Sequence, residues 1–136
     1  MDGFRINEEK TFMKKIRTHE DLDLWQLSMS FVAEIYSLTA TFPAAEKYGL
    51  TSQLRRAAVS VPSNISEGSA HQSTKEMVRY LYISLGSLAE IETQLEIARR
   101  LGYFTNPDEI KSHSFRLKRM TIRLIQSLNQ HQNNPS

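Results

Sequence analysis

Apolar residues recur every three or four positions along most of this chain, and this spacing constrains the fold more than any other feature. A period of three to four stacks side chains on one face of an α-helix, whereas strands require simple alternation. Four separate segments show the helical period, and they are divided by Pro43 and Gly49, by Gly68, and by Gly102. The pattern therefore predicts an all-α protein built from four amphipathic helices.

The first two predicted helices are joined by a short connection. The first is expected from about Leu22 to Phe42, because Pro43 cannot continue a helix, and the second begins near Thr51 with Pro62 as an expected kink. The apolar stripes are Leu24, Leu27, Phe31, Ile35, Leu38 and Phe42 in the first helix, and Leu54, Ala57, Ala58, Val61 and Ile65 in the second. The small residues of the second stripe would let a neighbouring helix approach closely.

The third and fourth predicted helices have clear end signals. The third is expected from Ser73 to Leu101, with Gly102 as its cap and Gly86 as a close-packing point, and the fourth begins at Asn106-Pro107. Their stripes are Met77, Leu81, Leu85, Leu88, Ile91, Leu95 and Ala98, then Ile110, Leu117, Thr121, Leu124 and Leu128. Short connections predict an antiparallel up-down-up-down four-helix bundle over residues 21–130, with a helical or flexible N-terminal arm at 1–20 and a disordered tail at 131–136.

Some apolar residues fall outside these stripes. Ile83 and Ile97 lie on a second face of the third helix, and Phe115 and Ile122 lie on a second face of the fourth. Apolar residues left at the surface of a single bundle favour contacts between subunits, so we expect self-association. The alternative is a wide core face with scattered exposed apolar residues, which are normal in monomers.

Basic residues gather in the fourth helix, and no acidic residue occurs from position 110 onward. Arg116, Arg119 and Arg123 share one face of this helix. Such a line of cations is typical of a surface that follows a phosphate backbone, although a solvated helix face is the more common role of a run of charges. The candidate nucleic-acid contacts are Lys111, Arg116, Lys118, Arg119 and Arg123.

Two acidic residues of the third helix, Glu90 and Glu92, fall near the edge of its core stripe. A carboxylate in that position needs a partner, and Arg55 and Arg56 of the second helix are the candidates. We interpret these residues as structural ion pairs, within or between subunits, because no nucleophile accompanies them.

Several functional classes are disfavoured by what the sequence lacks. There is no Cys, and none of His19, His71, His113 and His131 follows a Glu by three positions, so neither a thiol site nor a di-metal bundle site is expected. No Gly-rich phosphate loop occurs. We expect no enzyme activity, no cofactor and no metal. The absence of a signal peptide or a membrane-length apolar run predicts a cytoplasmic protein.

Several segments together resemble a known family. These are Asp21-Leu22 with Trp25-Gln26, Phe42-Pro43, the run from Gln53 to Gly68, and the run from Gly86 to Leu95. They are similar to the four-helix bundle proteins associated with intervening sequences in 23S rRNA genes, over about residues 20–128. The resemblance implies a non-enzymatic antiparallel bundle that assembles into a five-membered ring. It also implies kinship with the accessory variability determinant of diversity-generating retroelements, a basic barrel that binds nucleic acid and a reverse transcriptase.

Two functional hypotheses follow from these observations. The leading one is a homo-oligomer, a pentamer by the resemblance, that binds RNA or DNA through the basic face of the fourth helix. The second is a scaffold that binds a protein partner without nucleic acid, which the extra apolar faces and the modest net charge of +2 favour.

Overall fold

The computed structural model describes residues 18–133, and within that range the chain forms four α-helices and one short 3-10 turn. The helices are α1 (His19–Thr39), α2 (Leu50–Ala70), α3 (Thr74–Arg100) and α4 (Asp108–Asn133), and the 3-10 turn (Ala44–Glu46) precedes α2. Each helix contacts two others, in the cyclic order α1, α2, α3, α4 and back to α1. This confirms the predicted all-α four-helix fold.

Adjacent helices run antiparallel, because their contact partners change in opposite directions along the sequence. Between α2 and α3, Val61 contacts Ser84 and the earlier Gln53 contacts the later Gln94. Between α3 and α4, Glu92 contacts Lys118 and the later Glu96 contacts the earlier Lys111. Between α1 and α2, Tyr36 contacts Arg55, whereas the earlier Trp25 lies near the later Ser66. Between α1 and α4, Glu34 contacts His113, whereas the earlier Leu24 lies near the later Leu124. The topology is therefore up-down-up-down.

The four predicted stripes meet in one hydrophobic core. Leu54, Ala58 and Ile65 of α2 are completely buried, as is Leu88 at the middle of α3. The small residues of α2 place its backbone close to α3, as the sequence predicts. At Gly68 the approach is close, since a Cβ there would lie 2.9 Å from the Cβ of Tyr80.

The close-packing role predicted for Gly86 is wrong. A Cβ added at Gly86 would meet nothing within 4 Å, because this residue lies on the exposed face of α3. The predicted ends of α3 agree with the structure to within one residue. Ser73 Oγ accepts a hydrogen bond from Glu76 N, and Gly102 ends the helix in the left-handed region with φ of 78°.

The ends of α1 differ from the prediction by three residues. The helix begins earlier because the Thr18 hydroxyl caps it, accepting a hydrogen bond from Asp21 N at 3.1 Å. It ends at Thr39 rather than Phe42. Phe42 itself is excluded because a residue before proline disfavours the helical conformation. Phe42 still contributes to the core, where its ring packs against Tyr103 and Phe104.

Smaller differences occur at the other boundaries. Thr51 lies inside the first turn of α2 and is not its N-cap; the Glu46 carboxylate accepts from Leu50 N at 3.0 Å instead. The last helix extends to Asn133, beyond residue 131 where the predicted tail begins. Of the predicted N-terminal arm, residues 1–17 lie outside the described range, as do 134–136 of the tail. No helix between residues 18 and 133 is both long and apolar enough to cross a membrane.

Candidate nucleic-acid interface

The five cationic residues predicted to contact nucleic acid all lie on α4, but the structure divides them into two groups. The two lysines face α3. Lys111 Nζ lies 3.6 Å from Glu96 Oε2, and Lys118 Nζ lies 3.8 Å from Glu92 Oε2. Because both pairs are partly exposed, each neutralises a lysine charge locally but contributes little to the free energy of unfolding.

The three arginines form the second group, which we call the α4 arginine face: Arg116, Arg119 and Arg123. All three are exposed, and none has an acidic partner within 4 Å among the described residues. The guanidinium of Arg119 lies over the ring of Phe115, 5.8 Å from its centroid. Arg123 borders a shallow depression of about 260 Å³ that Glu20 and Asp23 also line. The arginines therefore remain available to an external anion, Arg123 less fully than the other two.

The pKa of Glu96 is strongly perturbed, and this residue lies beside the α4 cations. Its carboxylate accepts hydrogen bonds from Arg99 at 2.8 and 3.0 Å and from Arg100 at 3.0 Å, and it also pairs with Lys111. The hydrogen bond from Arg99, followed by that from Arg100, lowers the pKa of Glu96 to about 2. Glu96 is therefore ionised at any physiological pH.

The ion pairs predicted for Arg55 are wrong within the subunit. Its Nε donates to Thr39 Oγ1 at 2.9 Å and its Nη2 donates to the Tyr36 carbonyl at 3.3 Å. Arg55 lies on the side of α2 that faces α1, where it neutralises the carbonyl end of that helix. Its guanidinium also stacks on the Tyr36 ring at 4.5 Å.

The two glutamates paired with these arginines in the sequence prediction have other partners in the structure. Glu92 pairs with Lys118, and Glu90 Oε1 accepts a hydrogen bond from Gln94 at 3.3 Å. Arg56 is exposed, and no acid lies within 4 Å of it among the described residues. An ion pair between subunits that involves Arg56 or Glu90 stays a prediction.

The four candidate interface residues are exposed on the single subunit. The exposed fractions are 40% for Ile83, 44% for Ile97, 58% for Phe115 and 36% for Ile122. Leu101 adds a fifth apolar residue at the end of α3, with 56% of its surface exposed. Their contact with another subunit stays a prediction.

Histidine takes part in contacts that the sequence analysis did not predict. His113 Nδ1 lies 2.7 Å from Glu34 Oε2 and links α4 to α1, and His71 stacks on Tyr80 with the ring centroids 5.4 Å apart. Among residues 18–133, no three His, Asp or Glu side chains lie close enough together to hold a metal ion.

The chain matches the family model described as 23S rRNA-intervening sequence protein, over residues 20–125. This match spans α1, α2, α3 and most of α4. The chain belongs to the 23S rRNA-intervening sequence protein family. The resemblance noted in the sequence is thereby confirmed.

One solved structure supports the fold of this 23S rRNA-intervening sequence protein directly. It is the crystal structure of a protein of unknown function from the S23 ribosomal protein family of Bacteroides thetaiotaomicron. The two chains are 25% identical and superpose with a TM-score of 0.73, and the match covers 79% of this chain and 98% of the other. No curated protein sequence matches the chain significantly.

The structure shows a second cationic surface, formed by residues within the matched range, that the sequence analysis did not predict. Tyr36 and Arg55, which contact each other, meet Lys47, Tyr48 and Arg56 at the edge between α1 and α2. The only sequence signal was the proximity of a Lys-Tyr pair and an Arg-Arg pair. The folded connection before α2 is what brings the tyrosines and cations together.

Proposed function

We propose that this member of the family is a non-enzymatic subunit of a homo-oligomer that binds structured RNA or DNA through the α4 arginine face. The observation that carries the proposal is the exposure of three arginines without acidic partners in the described chain, on a helix segment that contains no acid after position 110. Arginine suits this role because its planar guanidinium donates bidentate hydrogen bonds to phosphate.

The spacing of these arginines fits a nucleic-acid strand. Arg116 and Arg123 are seven positions apart, which is about 10 Å along a helix axis. A B-form strand presents one phosphate about every 3.4 Å of duplex axis, but the strand winds around that axis, so α4 can follow it only locally. The three arginines therefore span a length comparable to that of a few phosphates.

Assembly would raise the affinity of such a small charge cluster. A cyclic oligomer joins two different surfaces of each subunit, and the exposed apolar residues of α3 and those of α4 offer two. The family resemblance implies five copies. Since each neutralised phosphate adds to binding, a ring that repeats the α4 arginine face would bind more strongly than a monomer.

The test is a salt titration of binding to a structured RNA with the triple variant R116Q/R119Q/R123Q. We expect the slope of log affinity against log salt to become shallower by roughly one unit for each arginine that contacts a phosphate. The control for net charge is K75Q/R79Q/R100Q, which removes three exposed cations from α3, two of them paired with acids. Equal losses in both variants, or no binding by the unaltered protein at low salt, would contradict the proposal.

The second candidate function is a protein-binding scaffold. Its supporting observation is that Lys111 and Lys118 are already paired with acids, which leaves fewer free cations on α4 than the sequence offers. Oligomeric mass measured together with the 260/280 nm absorbance ratio of untreated protein separates the two. A ring that carries co-purified nucleic acid favours the first function, and a nucleic-acid-free complex with a stable protein partner favours the second.

A further inference from the structure

A second cationic surface lies at the edge between α1 and α2. It is an open groove of about 650 Å³, and we call it the Tyr36–Tyr48 groove. Two tyrosines and the cations Lys47, Arg55 and Arg56 line it, together with small hydroxyl side chains and Val59. No acidic side chain is among its lining residues. Its composition of aromatic rings interleaved with cations differs from that of the α4 arginine face.

The base of the groove is held in place by hydrogen bonds. Arg55 is fixed between the Thr39 hydroxyl and the Tyr36 carbonyl, and its guanidinium lies 4.5 Å from the centroid of the Tyr36 ring. The planar guanidinium and the ring thus form a preordered stack. A flat ligand placed against this stack would need little reorganisation of the protein.

Tyr48 forms the outer part of the groove and contributes little to the core. Its side chain is 88% exposed, the highest fraction among the large hydrophobic residues described. Lys47 Nζ lies 5.4 Å from the centroid of its ring. Burial does not explain a tyrosine at this position, whereas an exposed ring beside cations is what a stacking platform for nucleic-acid bases requires.

We propose that the Tyr36–Tyr48 groove binds single-stranded nucleic acid. Bases stack on Tyr48 and on the Arg55–Tyr36 pair, while Lys47 and Arg56 contact the phosphates. A duplex does not fit this chemistry, because its paired bases are stacked on each other and do not expose their faces. The inference rests on the proposed nucleic-acid function but assigns a different surface and a different strand state from those of the α4 arginine face.

The first test compares binding of an oligouridylate of about 12 nucleotides with binding of a duplex RNA of equal length, by fluorescence anisotropy at low salt. Tyr48→Ala is expected to weaken oligouridylate binding at least about fivefold, since one stacked base contributes about 1 kcal/mol or more. Tyr48→Phe keeps a ring and is expected to retain the affinity. Tyr82→Ala, which removes an exposed tyrosine from α3, is the matched control and should leave binding unchanged.

The outcomes separate this inference from the proposed function. If R116Q/R119Q/R123Q weakens structured-RNA binding but Tyr48→Ala leaves oligouridylate binding unchanged, the groove proposal alone fails. If Tyr48→Ala acts and the triple variant does not, the groove proposal stands and the α4 proposal fails. Failure to bind oligouridylate at low salt overturns the groove proposal. So does equal affinity for poly-glutamate of matched charge, because an acidic protein partner would then explain the groove.

A second measurement locates the contact without depending on any variant. An oligouridylate that contains 4-thiouridine is photo-crosslinked to the unaltered protein, which is then digested with trypsin. Cleavage after Lys47 and Arg55 releases residues 48–55, and this peptide is expected to carry the nucleotide adduct. Adducts confined to peptides of α4 would overturn the proposal.

Discussion

Helix α3 is held by its two neighbours in different ways. Against α2 the contact is made by small residues such as Gly68, by a hydrogen bond from Ser87 Oγ to Ser60 Oγ at 2.9 Å, and by a buried hydrogen bond from Ser84 Oγ to the Val61 carbonyl at 3.0 Å. Against α4 the buried part consists of larger aliphatic side chains, and the exposed part consists of the Lys111–Glu96 and Lys118–Glu92 pairs.

The difference indicates which surfaces can change without loss of the fold. A contact made by close backbones has no space for added atoms, so the α2–α3 contact fixes the geometry of the bundle. The α4 contact depends on a few large buried side chains, and the outward face of α4 is left with long cations that contribute little to stability. That face is therefore free to serve binding, but an RNA that approached its lysines would compete with Glu92 and Glu96.

The largest expected effect is on the attachment of α4. Leu117 is completely buried, and Leu117→Ala would leave a cavity as well as lose apolar burial. We expect a loss of about 2–5 kcal/mol in the free energy of unfolding, measured by denaturant titration. A loss below about 1 kcal/mol would show that α4 is not held by its large side chains.

The matched control on the same helix is Ile122→Ala. Ile122 is 36% exposed, so its truncation should reduce the free energy of unfolding of the subunit only slightly. If the loss instead grows as the protein concentration is raised and disappears on dilution, Ile122 stabilises a subunit interface. The control thus also tests the predicted self-association.

The next effect tests the α2–α3 contact by adding one carbon. In Gly68→Ala, the new Cβ would lie 2.8 Å from Met77 Sδ and 2.9 Å from Tyr80 Cβ. The flexible Met77 side chain can move, but the Tyr80 Cβ moves only with its helix. The strain of about 1–3 kcal/mol exceeds the gain of about 1 kcal/mol in helix propensity. We expect a net loss near 1 kcal/mol in the free energy of unfolding.

Gly86→Ala is the control for this substitution, because it makes the same change in the neighbouring helix where the Cβ meets nothing within 4 Å. Only the propensity gain remains there, so stability should rise by about 0.5–1 kcal/mol. Stabilisation by both substitutions would show that α2 and α3 are not in close backbone contact at Gly68.

These glycines show what the sequence can and cannot predict about the fold. The period of the apolar residues predicts four helices and most of the core, because burial of one face depends only on local spacing. It cannot show which of Gly68 and Gly86 faces a neighbour, since that depends on the register between two helices. The exclusion of Phe42 from α1 was predictable in principle from Pro43, because proline restricts the residue before it.

The candidate site was predictable to a smaller degree. The exposure of Arg116, Arg119 and Arg123 follows from their position opposite the apolar stripe of α4. The sequence analysis paired Arg55 with acidic residues because their charges are opposite. This was wrong, because the long arginine side chain instead reaches the carbonyl end of α1. The pairing of Glu92 with Lys118 requires the register of α3 against α4, which no single-helix pattern contains.

The smallest expected effect concerns the exposed part of the α4 contact and its dependence on pH. The pKa of Glu96 is lowered to about 2 in the folded chain from an ordinary value of 4.5. Its contribution to stability is therefore fully present above about pH 4.5 and is lost as the pH falls toward 2. The Glu96 carboxyl should titrate near pH 2 by NMR, and a value near 4.5 would show that Arg99 and Arg100 do not hold it.

The variant Glu96→Gln connects this titration to α4. The difference in thermal midpoint between the unaltered protein and this variant should be small at pH 6, smaller still at high salt, and absent below about pH 2. Glu76→Gln is the control, because Glu76 pairs with Arg79 inside α3 and does not reach α4. If only Glu96→Gln speeds amide exchange around Lys111, the exposed ion pairs contribute to holding α4 against α3. Equal exchange in both variants would show that only the buried side chains hold α4 against α3. Lys111 would then be as available to an RNA as the three arginines.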